Sequence, residues 1–230
     1  MIKAGLYPYL GLIEFLAHTL GPDYEIVLYD FSYEDSSIIS IANGHISGRK
    51  IGAPLNKKSL EAISKGVYRS KNYISDYISL SKEGKMLRSN IYFIKNSENT
   101  LLGLLCINFD DSRYQLIVED ILGLCHPNNF AKEKHTYTDK LKSKKINQDE
   151  IENFYSSMED TVDEILKLII DDLGVPVERL TLEEKMDIVE KMNDKGVFIL
   201  RGAVKYVAEK LRCSQASIYR YLKRVKESTK

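Results

Sequence analysis

The feature that most constrains the fold is a pair of short amphipathic patterns near the C-terminus, within the stretch AVKYVAEKLRCSQASIYRYLKRV. Only Arg212 and Cys213 separate the two patterns, and Ser214 can cap the second helix. So short a joint forces the helices to cross steeply, and Ala208 supplies the small residue that their contact needs. This spacing predicts a helix-turn-helix, whose second helix enters the DNA major groove. The inward residues are Val204, Val207, Ala208, Leu211, Ile218, Tyr221, Leu222 and Val225.

The outward face of the second helix carries polar and basic side chains that suit DNA. Gln can bond adenine in two places, Arg can bond guanine in the same way, and Ser hydroxyls suit bases or phosphates. Further cations, including Lys205, Lys210, Arg212 and Lys226, are placed for phosphates, which position a domain without reading sequence. The predicted DNA-contacting residues are Ser214, Gln215, Ser217, Tyr219, Arg220, Lys223 and Arg224.

Charge is unevenly distributed along a chain whose formal net charge is zero. Residues 195–230 hold ten Lys or Arg against two Glu, whereas residues 147–194 hold fifteen acidic residues against four basic ones. A basic tail suggests a polyanionic partner, namely double-stranded DNA. Two alternatives stay open: the tail pairs with the acidic segment before it, or it is a three-helix bundle whose basic face is merely solvated.

Local signals around the two-helix motif are mixed. Thr181 and Glu184 have capping-box spacing, which predicts a preceding helix to about Met192. The turn of the motif lacks the glycine often found there, and a non-glycine residue in a left-handed conformation costs about 1 kcal/mol. A fold can absorb that cost.

The N-terminal half predicts an α+β domain with an antiparallel sheet and flanking helices. Its elements are a helix over 8–20, strands over 24–30 and 36–44, a turn at Asn43-Gly44, a helix after Pro54 that ends at Gly66, strands over 89–95 and 100–109, and a helix capped by Asp110-Asp111 that runs through Leu124.

A polar, lysine-rich linker over 126–150 follows, and then an acidic amphipathic helix. That helix packs on its own chain or pairs with a second copy. Three segments are therefore expected: 1–125 as an α+β domain, 126–177 as linker and connecting helix, and 178–230 as a small all-α helix-turn-helix domain. The apolar stripe of the connecting helix is Ile151, Phe154, Tyr155, Met158, Val162, Ile165, Leu166 and Ile169.

Two stretches carry a resemblance to a known family. LRGAVKYVAEKLRCSQASIYRYL, with the preceding EKMDIVEKMNDKGVF, resembles the C-terminal DNA-binding domain of the YheO/DauR family of bacterial transcriptional regulators. SIISIANGHISGRKIGAPL and LRSNIYFIK with LLGLLCINFDD resemble that family's N-terminal PAS-like domain. The resemblance implies a regulator with an N-terminal PAS-like module and a C-terminal helix-turn-helix. Dimerisation is expected because paired reading helices fit successive major grooves about 34 Å apart.

A PAS-like domain typically holds a small ligand, or nothing, in the concave face of its sheet. The segment NGHISGRKIGAPL and the later hairpin supply side chains for an anionic or amide-bearing ligand. The competing interpretation is ordinary structure: Asn43 closes a turn, His45 is a satisfied polar residue and Cys106 is core. A further alternative is an adaptor whose PAS-like part only mediates dimerisation or protein contacts. The candidate ligand-binding residues are Asn43, His45, Arg49, Cys106 and Asn108.

Several other classes find little support in the sequence. No apolar run approaches the roughly 18–20 residues that cross a bilayer, and three distant cysteines fit a reduced, cytoplasmic chain. The four histidines show no metal-ligand spacing, and no GxSxG, HExxH or P-loop motif is present, so no metal and no catalytic residue is expected. The sequence assigns no cofactor.

Overall fold

The computed structural model describes residues 4–31, 37–81, 83–125, 152–154 and 157–228. The strands are β1 (Tyr24–Asp30), β2 (Ser37–Ala42), β3 (Tyr73–Leu80), β4 (Met86–Lys95), β5 (Leu101–Asp110) and the two-residue β6 (Glu152–Asn153). The helices are α1 (Tyr7–Leu20), α2 (Lys57–Ser64), α3 (Ser112–Cys125), α4 (Met158–Leu173), α5 (Leu182–Asp194), α6 (Ala203–Lys210) and α7 (Gln215–Ser228).

The strands form one sheet in the order β2-β1-β5-β4-β3-β6. The first five are antiparallel, and β6 joins β3 in parallel. This sheet with α1, α2 and α3 is here called the sheet body, and α4 to α7 form the helical body. The α+β prediction is confirmed, and the predicted strand over 24–30 has those bounds. The stretch between Gly66 and residue 89, to which the sequence assigns no element, contains a short 3₁₀ helix and β3.

Alternation along β1 divides its side chains between two layers. Ile26 and Leu28 pack on the face covered by α1, together with Ile13 of that helix. Val27 and Tyr29 point to the opposite face, into the core shared with the helical body. We call this second side the core face of the sheet.

The helical body is organised by well-defined caps. The predicted capping box is present: the Thr181 Oγ1 accepts a bond from the Glu184 backbone N–H, and Glu184 accepts one from the Thr181 N–H. Ser157 caps α4 through the Asp160 N–H, and Gly174 ends α4 in a left-handed conformation. These caps satisfy backbone groups that helix ends would otherwise leave without partners.

The connecting helix differs from its prediction in where it begins. Helix α4 starts at Met158, whereas Phe154 is buried against Ile46 and Leu87 of the sheet body. Phe154 thus follows a strand that pairs with β3, and its burial there outweighs the helical spacing. Ile151, Tyr155 and the predicted linker over 126–150 lie outside the described residues. The remaining stripe packs within the chain, because Val162, Ile165, Leu166 and Ile169 are buried.

The two bodies meet through α2. Ser64 Oγ donates to the Asp194 carbonyl at 2.8 Å, and Lys195 lies 3.7 Å from Glu61. Gly196 has φ +77°, and a Cβ there would stand 2.6 Å from the Leu60 carbonyl oxygen. A side chain at residue 196 would therefore push the helical body away from α2.

Candidate DNA-binding helix and buried polar cluster

Helix α7 turns one side into the helical body and the other to solvent. Ile218, Tyr221 and Val225 are buried, as the apolar spacing predicts. Ser217 is partly buried, and the other predicted DNA-contacting residues are exposed: Ser214, Gln215, Tyr219, Arg220, Lys223 and Arg224. The second helix therefore presents a hydrogen-bonding and cationic surface about as wide as one helix, the shape that a major groove accepts.

Two serines cap the N-terminal end of α7. The Ser217 N–H donates to Ser214 Oγ at 3.1 Å, and the two hydroxyls lie 3.0 Å apart. Ser214 is thus the N-cap that the sequence predicts. Its hydroxyl already accepts a backbone bond, which leaves Gln215 and Arg220 as the side chains best suited to base edges.

The joint between α6 and α7 is closed without glycine. Arg212 has φ +50°, its N–H donates to the Glu209 carbonyl at 3.2 Å, and the Cys213 N–H donates to the Ala208 carbonyl at 2.9 Å. These two bonds form a Schellman motif, with Arg212 in the left-handed position that glycine usually occupies. Ala208 is buried at the helix crossing, where the sequence predicts a small residue.

Part of the basic tail pairs with the acidic segment before it. Lys210 Nζ lies 2.8 Å from Asp163, and the Arg212 guanidinium donates to Glu178 at 2.9 Å. The hydrogen bond to Asp163 is the main cause that raises the pKa of Lys210. The basic tail therefore pairs with the acidic segment at α6 and at the joint between α6 and α7. Both places precede the outward face of α7.

A cleft of about 610 Å³ separates the end of α2 from α7. Tyr219 and Lys223 of the outward face border it, so any movement of the sheet body changes the surroundings of α7. The remaining lining residues are Ser64, Asn193, Gly196, Phe198, Ile199, Val204 and Leu222.

The core face of the sheet holds a second polar group, centred on Arg49. Its guanidinium donates to Glu25 at 2.8 Å and to Ser47 Oγ at 3.0 Å, donates also to the Tyr29 hydroxyl, and lies 3.9 Å from the centre of the Phe154 ring. Burial by itself would lower the pKa of Arg49, but the phenol of Tyr29 and the carboxylate of Glu25 outweigh it and raise the pKa. Arg49 is therefore a buried, fully charged and neutralised cation.

Asn108 extends this cluster across the sheet. Its Nδ2 donates to Glu25 at 2.6 Å, whereas its Oδ1 is buried without a hydrogen-bond partner among the described residues. Glu25, Asn108 and Ser89 are register partners on β1, β5 and β4, and the Ser89 hydroxyl bonds that of Ser79 on β3. A polar row thus crosses the otherwise apolar core face.

The other predicted ligand-binding residues lie elsewhere or play a packing part. Asn43 has φ +55°, and its Nδ2 donates to the backbone carbonyls of Gly21 and Tyr24 at 3.1 and 2.8 Å. His45 is exposed, and Cys106 is buried in the core beside Val27. The structure thus brings Arg49 and Asn108 together and leaves Asn43 and His45 outside their cluster.

The sequence did not predict four members of the cluster: Glu25, Tyr29, Ser47 and Phe154. A signal for two of them was present, because Glu25 and Tyr29 each lie two residues from Val27 and so share its face of an otherwise apolar strand. A carboxylate in such a strand requires a buried partner. Among the residues that the structure describes, no group of three or more His, Cys, Asp or Glu could hold a metal ion, and no helix is long and apolar enough to span a membrane.

Comparison with known proteins identifies both parts of the chain. Residues 2–126 match the model of the YheO-like PAS domain, and residues 161–223 match that of an HTH domain. The chain is 27% identical to YheO of Escherichia coli K12, over 96% of this chain and 85% of that protein. It is 26% identical to a Haemophilus influenzae protein (98% and 93% covered) and 25% identical to the transcriptional regulator DauR of Pseudomonas aeruginosa (95% and 93% covered).

Proposed function

The chain belongs to the family of proteins with a YheO-like PAS domain, and from that premise we propose that it is a DNA-binding transcriptional regulator whose PAS-like domain controls operator binding. The name of the relative DauR supports a regulator rather than an enzyme. In this proposal residues 1–125 sense, residues 178–230 bind DNA, and residues 126–177 connect the two.

One observation carries the DNA-binding proposal: the polar side of α7 is exposed above a helix-turn-helix joint. Gln215 and Arg220 are free of the protein core, while Ile218 and Tyr221 fix the helix to α5 and α6 from behind. In this arrangement Gln215 and Arg220 read base edges, and Tyr219, Lys223 and Arg224 contact the backbone or flanking bases.

The direct test is selection of bound sequences from random duplex DNA with the purified full chain at two salt concentrations. We expect one enriched sequence at both concentrations, arranged as an inverted repeat if two chains bind together. Recovery of no enriched sequence, with binding that disappears at the higher salt, would leave only electrostatic attraction and would overturn the proposal.

The sensing part of the proposal rests on the polar row of the core face. Asn108 Oδ1 is a buried acceptor without a described partner, and such a group is costly unless a donor reaches it. We assign to this face a small polar effector that carries an N–H or O–H donor. The effector would bias an equilibrium only if it binds two arrangements of the chain with different affinity.

Helix α2 gives the core face a short route to the DNA-binding helix. Leu60 lies in the same buried core as Val27 and Cys106 of the core face, and its carbonyl oxygen faces Gly196 of the helical body. A displacement of α2 would therefore move the helical body directly. The acidic connecting helix α4 packs on α5 and α6 and would follow that movement.

An adaptor that binds DNA without an effector is the second candidate, since Arg49 is already neutralised by Glu25 and its neighbours. A thermal-shift screen of amino acids and related metabolites separates the two. A sensor is expected to be stabilised by one compound class, and Asn108→Leu should abolish that shift while Ser64→Ala retains it. An unchanged melting temperature with every compound, together with sequence-specific DNA binding, would favour the adaptor.

A further inference from the structure

Helix α3 differs from every other α-helix that the structure describes, because each of the others contains at least one buried side chain. It contains no buried residue, although it carries seven large apolar side chains. Six of these are more than half exposed, and Leu124 is 84% exposed. An apolar helix left in water is a marker of an interaction surface. The six side chains are Tyr114, Leu116, Ile117, Val118, Ile121 and Leu124.

The first turn of α3 is nevertheless fixed to the sheet body. Arg113 donates to Asp23 at 3.0 Å, Asp110 Oδ1 accepts the Ser112 N–H at 3.0 Å, and the Tyr114 ring lies 5.6 Å from that of Phe109. The helix is thus anchored at one end, and its apolar residues project from a defined position.

Four of the exposed residues have the spacing of a coiled-coil seam. Tyr114, Ile117, Ile121 and Leu124 are separated by three, four and three residues, which matches two heptads with apolar a and d positions. We call these four residues the α3 seam. Leu116 lies outside it, at a c position.

We propose that the α3 seam binds the same seam of a second copy of this chain. An a/d seam is self-complementary about a two-fold axis, because each side chain fits the gaps between equivalent side chains of the other helix. In a parallel pair, Arg113 and Asp120 at g positions would face Val118 and Cys125 at e positions, so no like charges would meet. The charge pattern therefore permits self-pairing.

The size of the seam indicates how strong the pairing is. A helix of fourteen residues is about 21 Å long, and two heptads cover less than the roughly 800 Å² per partner of a standard interface. We therefore expect a weak, reversible dimer. Its lifetime would increase on an inverted repeat, where the two DNA-binding domains raise each other's effective concentration. Only this last point rests on the proposed function.

Sedimentation equilibrium of the full chain without DNA tests the proposal. The wild type should show a monomer–dimer equilibrium, and Ile121→Glu should raise the dissociation constant by about thirtyfold or more, because the dimer would bury two facing carboxylates. Leu116→Glu is the matched control on the same exposed helix and should change the constant by less than about threefold. Circular dichroism should show the same helix content in all three proteins.

Two results would overturn the proposal. One is a wild type that stays monomeric over the whole concentration series, and the other is an equal weakening by Ile121→Glu and Leu116→Glu. Neither result affects the DNA-binding proposal, because a monomer would still select a single half-site from random DNA. Conversely, if no DNA sequence were selected, the proposed dimer through the α3 seam would be unaffected.

Discussion

The molecule has two polar surfaces of similar chemistry and opposite exposure. On α7, Gln215 and Arg220 face solvent, and their hydrogen-bonding groups are available to another molecule. On the core face of the sheet, Glu25, Arg49 and Asn108 are buried, and most of their capacity is used on one another. The same residue types therefore serve recognition where they are exposed and internal order where they are buried.

This difference in exposure predicts whether a substitution lowers the free energy of unfolding or the affinity for DNA. A buried charge that loses its partner stays desolvated without a compensating interaction, so the free energy of unfolding decreases. An exposed charge exchanges its partner for water at little cost to the fold, and the loss is seen only when DNA is present. Stability and DNA affinity should therefore respond to different halves of the chain.

The largest effect is expected from Glu25→Gln. This change leaves the buried Arg49 cation without its carboxylate, and breaking a buried pair typically costs about 3–5 kcal/mol. Urea unfolding of the full chain, followed by circular dichroism, should show a lower midpoint with an unchanged slope.

Glu178→Gln is the matched control, because Glu178 contacts Arg212 at 2.9 Å in an exposed pair. It should cost less than about 1 kcal/mol. Equal losses in the two variants would contradict the contrast between buried and exposed pairs.

The next effect concerns binding rather than folding. Arg220→Ala should weaken binding to the selected DNA by about 1–3 kcal/mol and relax the base preference at one position, while the unfolding midpoint hardly changes. Lys223→Ala should weaken all sequences alike and reduce the salt dependence by about one unit of slope. Competition binding assays at several salt concentrations measure both. If Arg220→Ala weakened every sequence equally, Arg220 would be a phosphate contact.

The sequence predicted α7 well because a helical surface follows from local spacing. Once Ile218 and Tyr221 are recognised as inward residues, the 3.6-residue period places Arg220 outward without knowledge of any other element. The same holds for the Ser214 and Thr181 caps, whose partners lie three residues away. The α+β class was equally accessible, because long apolar strands alternate with clear turn signals.

The buried cluster was only partly predictable because its contacts join residues far apart in the chain. Arg49 meets Glu25 across a separation of 24 residues, and Asn108 meets it across 83. Strand register decides such pairs, and a sequence without relatives does not give the register of β1 against β5. Phe154 was placed in a helix for the same reason, since its ring packs on a cation 105 positions earlier.

A third prediction separates two residues that sequence analysis grouped together, Asn43 and His45. Asn43→Ala should cost about 1–2 kcal/mol, because it removes two hydrogen bonds to Gly21 and Tyr24 and forces alanine into φ +55°. His45→Ala should change the free energy of unfolding by less than about 0.5 kcal/mol, since the side chain is exposed. Urea midpoints of both variants check this. A His45→Ala loss as large as that of Asn43→Ala would mean that His45 makes a contact the described structure does not contain.

A small net effect is expected from Arg212→Gly, because the relief of backbone strain at residue 212 opposes the loss of an exposed ion pair. Arg212→Gly relieves a left-handed residue by about 1 kcal/mol. It also removes the exposed pair with Glu178, worth up to about 1 kcal/mol, and it gives the unfolded chain more freedom, which costs about 0.4–1 kcal/mol. The net change in unfolding free energy should stay within about 1 kcal/mol.

Arg212→Ala keeps the strain of the left-handed conformation and also loses the ion pair with Glu178, so it should be the less stable of the two variants. Parallel urea titrations measure this order, and a more stable alanine variant would mean that chain entropy, rather than the left-handed turn, decides the stability of the joint.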